Sequence, residues 1–394
     1  MRRAPALSFL LITVFIDMLG LGIVVPVVPA LMLDLTGRAA DAATWSGVLG
    51  STFGLLQFVT APLLGRLADR YGRRPVLLTA LAGLGVDWLA HALTPTVTWL
   101  VVFHALAGAF AGTATVVNAY VADVTPPDRR AGAFALVGSA FGLGFVAGPL
   151  LGGALGSVDP RLPFYAAALL AFANVAYGWR VLPESRPGDR TTALTLRTAN
   201  PFGAIGAVLR RPVLGRLLVA RFCADVARMT HQAIWTFFVT HQFAWGTAHV
   251  GVTMSAGALA GAVFQARAVG PIVRRLGDRR AAVLGSLCGA VALGATAFAT
   301  SPAVIYLLQA VGVLGGIGVA AAQSWLSQAT GADEQGAVNG AVTGVAAVAE
   351  TGVPVLAGAV FAWSLAYSAP GAVFVVAAAF AAVSTLLLTT SARR

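Results

Sequence analysis

The chain alternates between long apolar stretches and short polar gaps. A helix needs about 20 apolar residues to cross a hydrocarbon core. Read for runs of that length, broken at proline, glycine or charge, the sequence predicts twelve spans, at residues 7–33, 45–64, 76–93, 98–122, 131–157, 162–182, 213–241, 247–272, 281–300, 303–329, 337–363 and 368–390. The longest polar stretch, 183–212, contains Glu184, Arg186, Asp189, Arg190 and Arg197 and no run of spanning length. It separates an N-terminal bundle of six spans (1–182) from a C-terminal one (213–394) and is read as the linker between them. The opening mimics a secretory leader, with Arg2 and Arg3 before Leu7–Ile16. Asp17 follows, however, and the apolar run continues to Leu33 without a small-residue cleavage site, so an uncleaved first span is expected.

Composition supports this reading and removes the soluble classes. Of the 394 residues 58% are hydrophobic and 10% charged, with a mean hydropathy of +0.82. A water-soluble domain carries about 25% charged residues, so this chain lacks the polar surface to coat one. The net charge is +11 and every basic residue is arginine. These arginines sit in the gaps between spans without interleaved aromatics, which argues against a nucleic-acid partner and for membrane topology. Arg66, Arg70, Arg73, Arg74, Arg129, Arg130, Arg180, Arg186, Arg190, Arg197, Arg210, Arg211, Arg274, Arg275, Arg279 and Arg280 fall on one side together with both termini, and only Arg38 and Arg161 on the other. Short cytoplasmic loops retain positive charge, so both termini are expected in the cytoplasm, and twelve spans give the even number this requires. Cys223 and Cys288 both lie in apolar segments and are read as inert thiols. No metal site and no cofactor is expected.

The two halves repeat. Gly65 and Gly270 lie 205 positions apart, as do Gly72 and Gly277, Arg74 and Arg279, Asp128 and Asp333, and Pro149 and Pro354. One interval recurring across several loops and spans marks a duplicated six-helix unit. The expected architecture is an all-α integral membrane protein of two pseudo-symmetric six-helix bundles, which resembles the parallel-repeat plan of the major facilitator transporters.

Two motifs carry that resemblance further. The segment Gly65-Arg66-Leu67-Ala68-Asp69-Arg70-Tyr71-Gly72-Arg73-Arg74-Pro75 resembles the charged loop signature of the superfamily, which implies a state-dependent cytoplasmic latch through Gly65, Asp69, Arg70, Gly72, Arg73 and Arg74. In its second copy, Gly270 to Arg280, Arg274 stands where Asp69 would, and the latch is expected to be degenerate there. The segment Gly142 to Gly153 resembles the antiporter motif of drug exporters, with Gly144, Gly148, Pro149, Gly152 and Gly153 in the ordered string. Small residues there allow helix backbones to approach closely, and proline removes a backbone donor. Within the superfamily the likeness is to the tetracycline/proton antiporters. It rests on Phe15-Ile16-Asp17-Met18-Leu19-Gly20, Gln57-Phe58, Gly85-Val86-Asp87-Trp88, Ala119-Tyr120-Val121-Ala122-Asp123, Leu182-Pro183-Glu184-Ser185, Asn200-Pro201 and Glu334-Gln335-Gly336. This chain departs from that group at His104, where an arginine is usual, and near Ser286–Ala290, where a carboxylate is common.

An ionisable group inside a span costs roughly 2.5–3.5 kcal/mol on insertion scales, so it is expected to be paired or to face a cavity. Asp17 and Asp87 match acidic positions of the family. With His104, whose ordinary pKa of about 6.5 suits proton exchange near neutrality, they are the proton-coupling candidates. Arg221, Asp225 and Arg228 are spaced to share one helical face as a buried charge cluster. The substrate-binding candidates are Gln57, Phe58, Asn118, Gln323 and the mixed polar and aromatic stripe His231, Gln232, Trp235 and Phe238, a surface suited to a flat amphipathic ligand. Gln265, Gln309 and Glu350 are weaker cavity candidates.

The function expected is proton-driven export of a drug by alternating access, tetracyclines being what the resemblance implies. A tetracycline would arrive as a metal chelate, so that any metal travels as cargo. A multidrug or amphipathic-metabolite antiporter is the alternative, followed by a proton-coupled uptake symporter. The partners are a small-molecule drug and the lipid bilayer of a bacterial inner membrane, with no obligate protein partner. No P-loop, HExxH, GxSxG or paired-carboxylate loop is present, so an enzyme is not expected.

Overall fold

Prolines and glycines cut the predicted spans into a chain of helices. The structure, a computed structural model, describes residues 4–188, 201–330 and 335–390. Outside the described residues lie Arg2, Arg3, Asp189, Arg190, Arg197, Asn200, Asp333, Glu334, Arg393 and Arg394. In the first half the helices are α1 (Ala4–Val24), α2 (Val28–Thr36), α3 (Ala39–Tyr71), α4 (Arg73–Leu93), α5 (Val97–Gly108), α6 (Thr113–Val124), α7 (Arg130–Gly156) and α8 (Leu162–Val181). The second half has α9 (Pro201–Leu209), α10 (Pro212–Phe243), α11 (Thr247–Phe264), α12 (Gly270–Leu276), α13 (Asp278–Thr296), α14 (Pro302–Gln328), α15 (Gln335–Ala366) and α16 (Ala372–Thr390). No β-strand occurs among the described residues.

Every predicted span is occupied by helix, with local breaks where the sequence supplies a reason. The first is interrupted by a 3₁₀ turn at Val25–Val27 beside Pro26 and Pro29, because proline cannot donate to the helix ladder. The eighth passes from α11 to α12 through a π-helical turn, Gln265–Val269. Among the described residues, nine helical stretches are long and apolar enough to cross a membrane, and α3, bent by 46° between Ala39–Ala61 and Leu63–Tyr71, makes a tenth. Helices α10 and α13 are not in that set. The first carries Arg216, Arg221, Asp225 and Arg228, and the second opens on Asp278-Arg279-Arg280.

The chain forms two compact units. One comprises Met1–Gly37, Thr52–Ala199 and Gly246–Ala258. Its core is built around Leu10, Val14, Leu77, Leu81, Val116 and Tyr120, with α1 laid against α7 and α8, and α4 against α8. The other comprises Arg38–Ser51, Asn200–Trp245 and Leu259–Arg394. Its core includes Leu214, Leu218, Ala281, Ile317, Ala321 and Ala341, with α13 packed on α14 and α16, and α10 on α15 and α16.

The duplication is visible in backbone geometry. Gly72, preceding α4, has φ +100° and ψ 155°, while Gly277, preceding α13, has φ +77° and ψ 156°. Both angle pairs are readily adopted only by glycine. Pro149 and Pro354 each lie inside a helix, α7 and α15.

Candidate functional site

The polar centre of the first unit forms where α4 and α5 present side chains to each other. Gly85 allows α4 to lie close to α8, since a Cβ there would come within 3.0 Å of Phe172 and 3.2 Å of Ala171. Two residues on, Asp87 is 2% exposed. In α5, Gly108 lets that helix approach the backbone of Phe53 in α3. His104, one turn earlier, stacks on the Phe53 ring with centroids 4.6 Å apart. The His104 ring donates from Nδ1 to Asp87 Oδ2 at 2.8 Å. Asp87 and His104, expected separately, are therefore joined.

A third residue belongs to this centre and went unmarked by the sequence motifs. His91, 2% exposed, lies four residues after Asp87 on the same face of α4. Its Nδ1 donates to the Asp87 backbone oxygen at 2.9 Å and lies 3.2 Å from Asp87 Oδ1. Phe164 of α8 stacks on its ring at 5.4 Å, and the two imidazoles meet edge to face at 4.9 Å. The i, i+4 interval from Asp87 is the signal that could have found it. Asp17 lies elsewhere in the unit, its carboxylate accepting from the Thr113 hydroxyl of α6. Gln57 donates to the Ala111 backbone oxygen at 3.2 Å, where α5 gives way to α6. Phe58 is half-buried beside it in sequence, and Asn118 is exposed.

The charged loop is a network rather than a pair. Arg73 binds Asp69 Oδ1 at 2.7 Å and Asp123 Oδ2 at 3.2 Å, and donates to the Gly65 oxygen at 3.5 Å. Asp69 does not cap a helix. The carboxylate at the start of α4 is that of Glu184, which accepts from the Arg73 backbone N–H at 2.8 Å and from that of Arg74 at 3.3 Å. Anions are stabilised at a helix N-terminus, where backbone N–H groups have no intrahelical partner. The Arg74 side chain turns to the Trp179 oxygen, and Arg70 lies over the Tyr71 ring at 5.7 Å. In the second copy Gly277 keeps the turn, while Asp278 accepts from Gln328 at 2.8 Å.

Gly144, Gly148 and Gly152 of the antiporter motif are the contact surface of α7 with α1. A Cβ on Gly144 would come within 2.7 Å of Met18, and one on Gly148 within 2.6 Å of the Gly22 Cα. Gly152 faces the Ile23 backbone, and Gly153 and Pro149 face Thr247 and Gly251 at the start of α11. Small-residue packing and the ordered motif are thus the same feature.

In the second unit, Asp225 is 3% exposed and accepts from both Arg221 (2.8 Å) and Arg228 (3.2 Å). Arg221 reaches Gln323 at 3.5 Å. The stripe on α10 divides. His231 stacks on Trp235 at 5.1 Å, and Gln232 is exposed. Phe238, 1% exposed, is spent on Phe374 and Phe243 within the core. Trp235 in turn meets Trp245, which stacks on Tyr306 at 5.6 Å. Where a ninth-span carboxylate is common in the resembling group, Ser286 accepts from the Thr385 hydroxyl at 2.9 Å.

Helical stretches of membrane-spanning length, nine or ten among the described residues, define a multi-pass membrane protein. The sequence profile of the Major Facilitator Superfamily matches residues 10–224 and again 217–394, so the chain belongs to that superfamily. Its membership is in a transporter family and not among enzymes. The chain is 33% identical over 364 residues to the tetracycline resistance protein, class C, of Escherichia coli, covering 92% of this chain and 91% of that one. It is 35% identical over 341 residues to the class G protein of Vibrio anguillarum, covering 86% of each. Multidrug resistance protein 1 of Bacillus subtilis is 29% identical over 67% of this chain and 66% of its own. Among solved structures, the human organic anion transporter MFSD10 shares the fold with a TM-score of 0.69 at 23% identity, over 98% of this chain and 100% of its own. The nucleoside transporter NupG does so with a TM-score of 0.79 at 13% identity, over the full length of both chains.

Proposed function

We propose that this protein is a proton-coupled exporter of drugs, tetracycline-type antibiotics foremost, working by alternating access in the inner membrane of a bacterium with both termini in the cytoplasm. The observation that carries the reading is the 33% and 35% identity, sustained over most of the chain, to two proteins named for tetracycline resistance. The arginine bias of the loops supports the orientation.

The polar centre supports the coupling. A carboxylate buried on an imidazole is a place where a proton can be held and released inside an apolar bundle, and Asp87 with His104 has that geometry. Asp17, hydrogen-bonded to Thr113, is the second carboxylate assigned to proton handling. The driving force suffices, since ~100 mV supplies about 2.3 kcal/mol per charge. Gln57, Phe58 and Asn118 in the first unit, and Gln323, His231, Gln232 and Trp235 in the second, are assigned to the drug. A metal ion chelated by a tetracycline is cargo in this scheme. The Arg73 network with Asp69, Asp123 and Glu184 is assigned to holding one conformational state.

A broader specificity is favoured by a different observation, the aromatic series Trp235, Trp245 and Tyr306 together with the likeness to a multidrug resistance protein. Drug susceptibility of exporter-deficient cells expressing the chain separates the readings. Resistance confined to tetracyclines supports the first, and resistance extending to unrelated amphipathic drugs supports the second. Unchanged susceptibility, with the protein present in the membrane, contradicts both.

A further inference from the structure

The Asp87 centre has a composition that a proton site alone does not require. Its three candidate donor atoms, one each from Asp87, His91 and His104, all lie within 4.8 Å of one another. We propose that these three residues form a binding site for a first-row transition-metal dication of the zinc class, held inside the first unit. The ion and the coupling proton would use the same groups and so exclude each other there; four observations support the ion site.

The first is the ligand set. Two imidazoles and one carboxylate suit zinc, cobalt, nickel or copper ions, whereas magnesium and calcium favour all-oxygen shells. The second is spacing. Asp87 and His91 stand at i, i+4, so their side chains rise from one face of α4, and His104 meets them from α5. A zinc ion about 2 Å from each donor places tetrahedral ligands about 3.3 Å apart. The existing separations of 2.8 Å (His104 to Asp87) and 3.2 Å (His91 to Asp87) both fall short of that value, so the ligands would have to spread slightly around an ion.

The third observation is an unsatisfied atom. Asp87 Oδ1, although buried, accepts no hydrogen bond among the described residues. Buried polar atoms normally have a partner. A dication bound among the three side chains supplies one to this oxygen. The fourth is the outer shell. Ligating histidines characteristically have their planes and tautomers fixed by neighbours. Here Phe53 stacks on His104 and Phe164 stacks on His91. With three protein ligands, the ion keeps an open coordination position.

The test is direct metal binding to the full-length protein in detergent, using Zn2+ in calorimetry and Co2+ in visible absorption, without drug and without a gradient. The expected result is one high-affinity ion per chain, a tetrahedral-type Co2+ spectrum and a Zn2+-dependent rise in the melting temperature. His91→Ala and His104→Ala should each remove one of the three protein ligands and abolish both the Co2+ spectrum and the rise in melting temperature. His241→Ala, at an exposed position on α10, should change neither. Should His91→Ala fail to fold, His91→Gln keeps a polar side chain there and should show the same loss. Absence of Zn2+ binding to folded wild-type protein overturns the proposal. So does binding that survives both histidine substitutions.

Discussion

At the scale of single residues, what Asp87 touches decides the chemistry of the first unit. Its carboxylate has 1% of its surface exposed and lies on His104, so removing its charge should change chemistry more than architecture. Asp87→Asn is expected to leave insertion intact and abolish gradient-driven export, and the double variant with Asp17→Asn to show the same loss while drug binding persists. Transport by vesicles containing each variant, beside equilibrium drug binding, checks this. His104→Gln tests the imidazole. If the ring handles protons, export should fall at least tenfold, whereas a side chain that only packs and hydrogen-bonds would tolerate glutamine. Asp17, Asp87 and His104 were legible in the sequence because ionisable groups are rare and costly within spans. His91 was less legible. It falls two residues before the end of α4, where a polar residue at a span boundary needs no explanation, and its i, i+4 interval from Asp87 is the one hint in the sequence that it turns inward.

At the scale of helices, close approach does the work. Gly148 and Gly22 bring α1 and α7 together with no room for a side chain. Gly148→Leu should force the helices apart, at a cost of about 1–3 kcal/mol or more, and lower the melting temperature in detergent. Gly142→Leu, where added atoms meet open space, should be tolerated. The helix start at α4 gives a second comparison. Glu184→Gln removes the charge that accepts from the Arg73 and Arg74 N–H groups, and should cost on the order of 1 kcal/mol. Asp69→Asn is expected to slow transport with little change in melting temperature, because Arg73 keeps Asp123 and the Gly65 oxygen. Wild-type rates from Asp69→Asn vesicles would remove the latch assignment. Helix positions were readable from apolar run length, and the breaks at Pro26 and Pro29 followed from proline. The partner of each motif was not readable. The charged loop showed Asp69 near Arg73 and Arg74 but gave no sign that Glu184, more than a hundred residues on, occupies the helix start, since that contact depends on how α8 returns beside α4. The stripe on α10 shows the same limit, because spacing placed Phe238 on a face without telling that the face meets Phe374.

At the scale of the whole molecule, the duplicated sequence produces duplicated geometry. Gly72 and Gly277 share a backbone conformation at an interval of 205 residues, and Pro149 and Pro354 sit inside corresponding helices. The second copy keeps the turn, with Arg274 where Asp69 stands in the first, so the proposed latch is assigned to the network on Arg73. The central claim is that proton movement and drug movement are coupled within this one chain. Everted membrane vesicles, with an imposed pH gradient and a labelled tetracycline outside, measure that coupling. The account predicts uptake that rises with the gradient, collapses when a protonophore dissipates it and is absent with Asp87→Asn. Uptake of equal rate with and without the gradient, or undiminished by Asp87→Asn, would contradict it.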